Sequence, residues 1–175
     1  MKKIIALVLS LTLILCAAAA FAGETAEKAE LGSVEAFSIR SIIPEGYTFN
    51  LIASDGLSLV GILSGGEGKP TITVSIAFSE EYAGVERFND VDEETVQAIK
   101  DSFLGMDDVV FEDLETAYGT RLLKVTQANK TFADIYSIYK GYETEFVIAA
   151  QGEVTDEDIQ TLVKFISDMD FVAIE

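Results

Sequence analysis

The chain has 175 residues, 30 acidic against 12 basic for a formal net charge of −18, one cysteine and no histidine. Without an imidazole or a set of thiolates, Ser-His-Asp and Cys-His catalysis, the HExxH metalloprotease site and the usual zinc sites are all excluded. So acidic a surface repels phosphates and anionic headgroups, so nucleic acid is not an expected partner. An apolar fraction of 49% argues against low-complexity disorder.

The first element is a targeting segment. Lys2 and Lys3 precede an uncharged run from Ile4 to Ala22, and Glu24 is the first acid. This is the pattern of a secretory signal, in a bacterial style, and Ala20-Phe21-Ala22 places the cut after Ala22. Cys16 follows the bulky Leu13, Ile14 and Leu15 rather than the small residues a lipoprotein signal needs, so it leaves with residues 1–22. The competing reading is an uncleaved anchor, since the run approaches the roughly 20 residues that span a bilayer. Its small-residue end favours cleavage. The exported chain then holds no thiol, forms no disulfide, and is not expected to insert stably in a membrane.

Residues 23–35, GETAEKAELGSVE, lack a strong period and read as a flexible leader to a single domain over 36–175. FSIRSII and YTFNLIA alternate as strands, separated by the breakers of PEGY; Asp55-Gly56 marks a hairpin turn into LSLVGIL. TITVSIAF is the clearest strand, with Ile72, Val74, Ile76 and Phe78 on one parity. The period then changes. Val96, Ile99 and Phe103 fall three and four apart in an amphipathic helix ending at Gly105, with an acidic first turn.

Two further hairpins follow, VVFEDLETA to RLLKVTQA and FADIYSIY to YETEFVIAA, the second turning at Lys140-Gly141. Strands 132–139 and 142–150 carry apolar residues on both parities, as in a sheet covered on both faces. TDEDIQTLVKFISDMDF closes the chain as a helix capped by Thr155, with Asp158 three residues on and Ile159, Leu162, Val163 and Ile166 in one stripe. Short turns between strands imply antiparallel pairing, so the predicted class is α+β: a mostly antiparallel meandering sheet with two amphipathic helices.

In this element order, and in IPEGY at Ile43–Tyr47 and YKGYETEFVI at Tyr139–Ile148, residues 36–172 resemble the PsbP-like superfamily, which includes bacterial DcrB-like exported proteins. The resemblance implies a layered α/β/α sandwich and a non-catalytic accessory or binding habit. It transfers no functional residue.

Several spacings invite chemistry. Asp90, Asp92, Glu94 and Asp101 fall on calcium-loop positions, but Thr95 stands where the loop needs glycine, and a helix N-terminus explains the acids better. Gly68-Lys69 in SGGEGKPT suggests a phosphate loop, yet Leu63, Pro70 and the following strand all depart from it. Ser137 and Lys140 spell S-x-x-K, but on a strand they point to opposite faces. Asn129-Lys130-Thr131 is a sequon in a turn. Tyr136, Tyr139 and Tyr142 cluster at one hairpin and form a possible recognition patch; half-buried strand packing explains them as well.

No catalytic, metal-binding or cofactor-binding residue is designated, and no cofactor is expected. The function expected is an exported non-catalytic accessory or binding domain for an unknown protein or small ligand. The alternatives are a carboxylate-dependent extracellular hydrolase, which needs two acids facing one cleft, and an acidic calcium-binding protein.

Overall fold

A computed structural model describes residues 27–106, 108–150 and 152–174. The signal, its cut after Ala22 and Cys16 lie outside these described residues. In chain order come β1 (Ala29–Val34), β2 (Phe37–Ser41), β3 (Tyr47–Ser54), β4 (Ser58–Gly65) and β5 (Thr71–Phe78). Two 3-10 turns, Glu80–Tyr82 and Phe88–Asp90, lead into α1 (Glu93–Ser102). After it run β6 (Val109–Glu115), β7 (Arg121–Gln127), β8 (Phe132–Tyr139), β9 (Tyr142–Ala149), α2 (Asp156–Ser167) and β10 (Asp170–Ala173).

Seven strands form one sheet in the order β3-β4-β5-β9-β8-β7-β6, every pair antiparallel. It is two meanders closed against each other. The first runs β3-β4-β5; the chain crosses through α1 to the far edge, meanders back from β6, and seals β9 against β5. A second antiparallel sheet holds β1-β2-β10. The described chain is therefore α+β and mostly sheet, as composition and periodicity imply.

Local chemistry sets the turns. One Asp55 carboxylate oxygen accepts from the Leu57 amide at 3.2 Å and the Ser58 amide at 2.8 Å, while Gly56 takes φ +86°. At the β8–β9 turn both Lys140 and Gly141 have positive φ, 52° and 81°, the geometry of a two-residue type I′ hairpin. Both helices begin at side-chain caps. The Asp92 carboxylate accepts from the Thr95 amide at 2.8 Å, and Thr155 and Asp158 form a reciprocal capping box.

β8 is buried on both faces, as its two apolar parities require, whereas β9 is buried on one face and half-buried on the other. On one face Val74, Ile76, Ile135 and Phe146 lie under Leu162 and Phe165 of α2 and under Leu31, Val34 and Ile39 of the small sheet. On the other, Leu123, Val125, Tyr136 and Ile138 meet Tyr82, Phe88 and the α1 residues Val96 and Ile99. Each fully buried side chain of this size contributes roughly 1.5–3 kcal/mol. α1 reaches only the β6–β8 half of its face; Val60, Ile62, Thr73 and Ser75 on β4 and β5 remain half-buried.

Three readings change. The leader assigned to 23–35 contains β1, whose Leu31 and Val34 are both 2% exposed. A bulge between Glu30 and Gly32 shifts the register, so apolar residues three apart reach the same core and the usual alternation is hidden. FSIRSII joins β1 and β10 rather than the meander that follows it, and β10 was not foreseen. On α2, Phe165 at 1% exposed is a principal anchor beside Leu162, whereas Ile159, Val163 and Ile166 are half-buried flanks. The small sheet is pinned to that helix: the Ser41 hydroxyl donates to the Phe165 carbonyl at 2.7 Å.

Candidate recognition site at the β8–β9 hairpin

Strand parity divides the three tyrosines. Tyr139 stands directly opposite Tyr142 across the hairpin, so both project to the α2 face, while Tyr136 pairs with Glu145 on the α1 face. Tyr136 is 3% exposed and packs edge-on against Phe88 at 5.7 Å between centroids. The trio therefore does not form one patch.

Two of the three join a larger group of rings. Phe171 of β10 lies 4.9 Å from Tyr139 and 6.1 Å from Tyr142, and Phe37 of β2 lies 5.9 Å from Phe171 and 6.0 Å from Tyr142. Phe78, at the end of β5, completes the cluster 5.6 Å from Tyr142. These are tilted and edge contacts, which add about 0.5–1.5 kcal/mol each beyond area burial. The Lys140 ammonium sits 5.1 Å from the Phe37 centroid and 5.7 Å from that of Tyr139, a cationic tip on an aromatic base. Phe37 and Phe171 were missed as site residues because only the β2–β10 pairing brings them here.

Beside the rings opens a cleft of about 360 Å³, bounded by Tyr139, Phe171, Phe146 and Leu122, with Tyr118 at its side. Three buried hydroxyls face it, and all are committed to the backbone. Ser137 donates to the Arg121 carbonyl at 3.0 Å and Thr144 to the Ser137 carbonyl at 3.1 Å. The Thr116 hydroxyl accepts from the Tyr118 and Thr120 amides at 3.3 and 3.0 Å. The Ser137 proton thus goes to a carbonyl rather than to a base, so this serine is not set up as a nucleophile.

Two cations line the same cleft. Lys28 is paired with Asp170 at 2.7 Å, while Arg87 is in no ion pair among the described residues. The backbone holds Arg87 in place. It forms a β-bridge with Tyr139, and the amides of Lys140 and Gly141 donate to Glu86 and Val85 carbonyls at 3.1 and 2.9 Å.

A larger, open groove of about 1390 Å³ runs beside α2 from Thr155 to Asp168 and gathers the motifs read as IPEGY and SGGEGKPT. They hold each other. The Lys69 ammonium donates to the Glu45 carbonyl at 2.6 Å and lies 5.0 Å from the Tyr47 ring, and the Gly66 amide donates to Gly46 at 3.1 Å. Burial, and secondarily Asp158, raises the Tyr47 hydroxyl pKa. A third cavity of about 450 Å³ separates α2 from the β6–β7 turn. The calcium-like segment is helical from Glu93 onward and does not adopt a loop.

The perturbed acids lie on the opposite sheet face. Burial first, then the charge of Glu145, pushes Asp134 up to about 7, and its Oδ1 has no hydrogen-bond partner. Glu145 is itself raised, by burial and by Glu143. Neither lines any of the three cavities. Among the described residues no helix is long and apolar enough to cross a membrane. Compared with family models, curated proteins and solved structures, the chain matches none.

Proposed function

We propose that the protein is an exported, non-catalytic accessory or binding domain of the PsbP-like layered α/β/α type, recognising its ligand at the β8–β9 hairpin and the cleft beside it. The observation that carries this reading is the cleft itself. Its volume suits a small ligand, rings form one wall, and its buried hydroxyls are spent on the backbone rather than aligned with a base. Export rests on the Lys2-Lys3 start and the Ala20-Phe21-Ala22 cut.

The hydrolase alternative draws on Asp134 and Glu145, two acids with raised pKa on one sheet face. It is the weaker reading, because Asp134 is 3% exposed and a substrate bond would have to reach a carboxylate packed inside the sheet layer. Protein-observed NMR with a panel of small organic fragments tests the binding reading. Hits are expected at the amides of Thr116, Ser137 and Tyr139, and are lost in Tyr139→Ala. Absence of cleft hits across the panel overturns it.

A further inference from the structure

The cleft differs in sign from its surroundings. The chain carries −18, and the large groove sets Glu45, Glu67, Glu153, Glu157, Asp158 and Asp168 against two lysines that are both engaged. Lys69 binds a carbonyl, and Lys164 holds Asp168 at 2.8 Å. Among the described residues one acid lines the cleft, Asp170, and it is paired with Lys28 at 2.7 Å. Arg87 is in no ion pair among the described residues.

The rest of the wall sorts a ligand's parts. Ser137 and Thr144 have given their protons to backbone carbonyls, so they offer lone pairs rather than donors to a guest. Arg87 is then the strongest donor available, a planar fork suited to two oxygens of one anion. The apolar surface the cleft leaves within reach is the half-buried Tyr139–Phe171 ring pair, with Leu122 and Phe146 packed behind it. A volume of about 360 Å³ sits at the small end of the roughly 300–1,000 Å³ range of ligand pockets.

We infer, resting on the binding reading above, that the cleft takes a small organic monoanion: a carboxylate at Arg87 with an aromatic or aliphatic body against Tyr139 and Phe171. One charge fits better than two. Each further negative charge on the ligand meets the field of the whole acidic surface, while Arg87 supplies only one compensating charge, and salt screens beyond about 8 Å at physiological strength. Charge-assisted bonds to a guanidinium correspond to roughly tenfold to hundredfold in affinity.

The test titrates isotope-labelled full-length protein with phenylpropionate and with its neutral amide, following the Thr116, Ser137 and Tyr139 signals. The acid is expected to bind at least about tenfold tighter than the amide. Arg87→Gln brings the two within about twofold, with the larger loss in the acid. Arg87 is exposed, so its replacement leaves the core intact. Equal cleft binding of acid and amide by the native protein overturns the anion inference while the binding reading stands. Binding of neither compound also overturns it, and the fragment panel then decides the binding reading alone. Discrimination that survives Arg87→Gln but disappears in Lys140→Gln overturns the assignment to Arg87.

Discussion

Replacing Asp134 by asparagine tests the packing of the sheet layer directly. Asp134 is 3% exposed, one carboxylate oxygen has no partner, and burial with Glu145 nearby raises it from 3.8 to about 7. The folded protein thus keeps a proton that the unfolded chain releases near pH 3.8. Stability from this group is fully present below that pH, falls as pH rises through the window up to about 7, and is flat beyond. At about 1.36 kcal/mol per pH unit, the group removes roughly 4 kcal/mol over the whole window.

Urea unfolding at about pH 4.5 and pH 8 reads the effect as a double difference. Any fixed cost of the asparagine amide cancels between the two conditions, leaving the ionisation of Asp134. The variant is expected to gain about 3 kcal/mol on the native protein from the lower to the higher pH. An offset constant to within about 0.5 kcal/mol would mean that Asp134 ionises as an ordinary surface carboxylate, and the burial argument would fall.

Thr155→Ala removes the acceptor for the Asp158 amide at the start of α2 and should cost about 1 kcal/mol, read as a melting temperature lower by about 3 °C. An unchanged melt would show that packing of Leu162 and Phe165 alone fixes the helix start. At Gly61, a methyl group would fall within the ring of Phe49, which folds across β4 from the neighbouring strand. Gly61→Ala should therefore destabilise by about 1–3 kcal/mol in urea unfolding, and Gly61→Ala combined with Phe49→Leu should recover part of that loss.

Where one interaction range suffices, the sequence is legible. TITVSIAF becomes β5 because alternation alone decides which side is buried, and the Lys140-Gly141 turn follows from what two positive φ values require. Thr155 and Asp158 announce α2 through contacts three residues apart. β1 and β10 escape because their partners are distant. β1 hides its apolar spacing behind a bulge, and β10 is four residues whose only strand partner, β2, lies about 130 positions earlier in the chain.

The same distinction governs the site. A run of Tyr136, Tyr139 and Tyr142 looks like a patch along the sequence, yet a spacing of three on a strand reverses the side chain, so Tyr136 joins the core under Phe88. The hairpin turn restores Tyr142 to the side of Tyr139, and there the small sheet delivers Phe37 and Phe171. Arg87 arrives by a third route, a single bridge from an irregular segment onto Tyr139. Two long-range contacts, the β2–β10 pairing and the Arg87 bridge, therefore complete what the local hairpin begins, and neither is visible to periodicity. The positive charge of the cleft is invisible to composition as well: in a chain of net −18 the Arg87 guanidinium is in no ion pair among the described residues, and its neighbours are rings and spent hydroxyls. The proposed preference for an anion therefore rests on the placement of this one cation beside accessible rings, and not on the charge of the chain as a whole, which is negative.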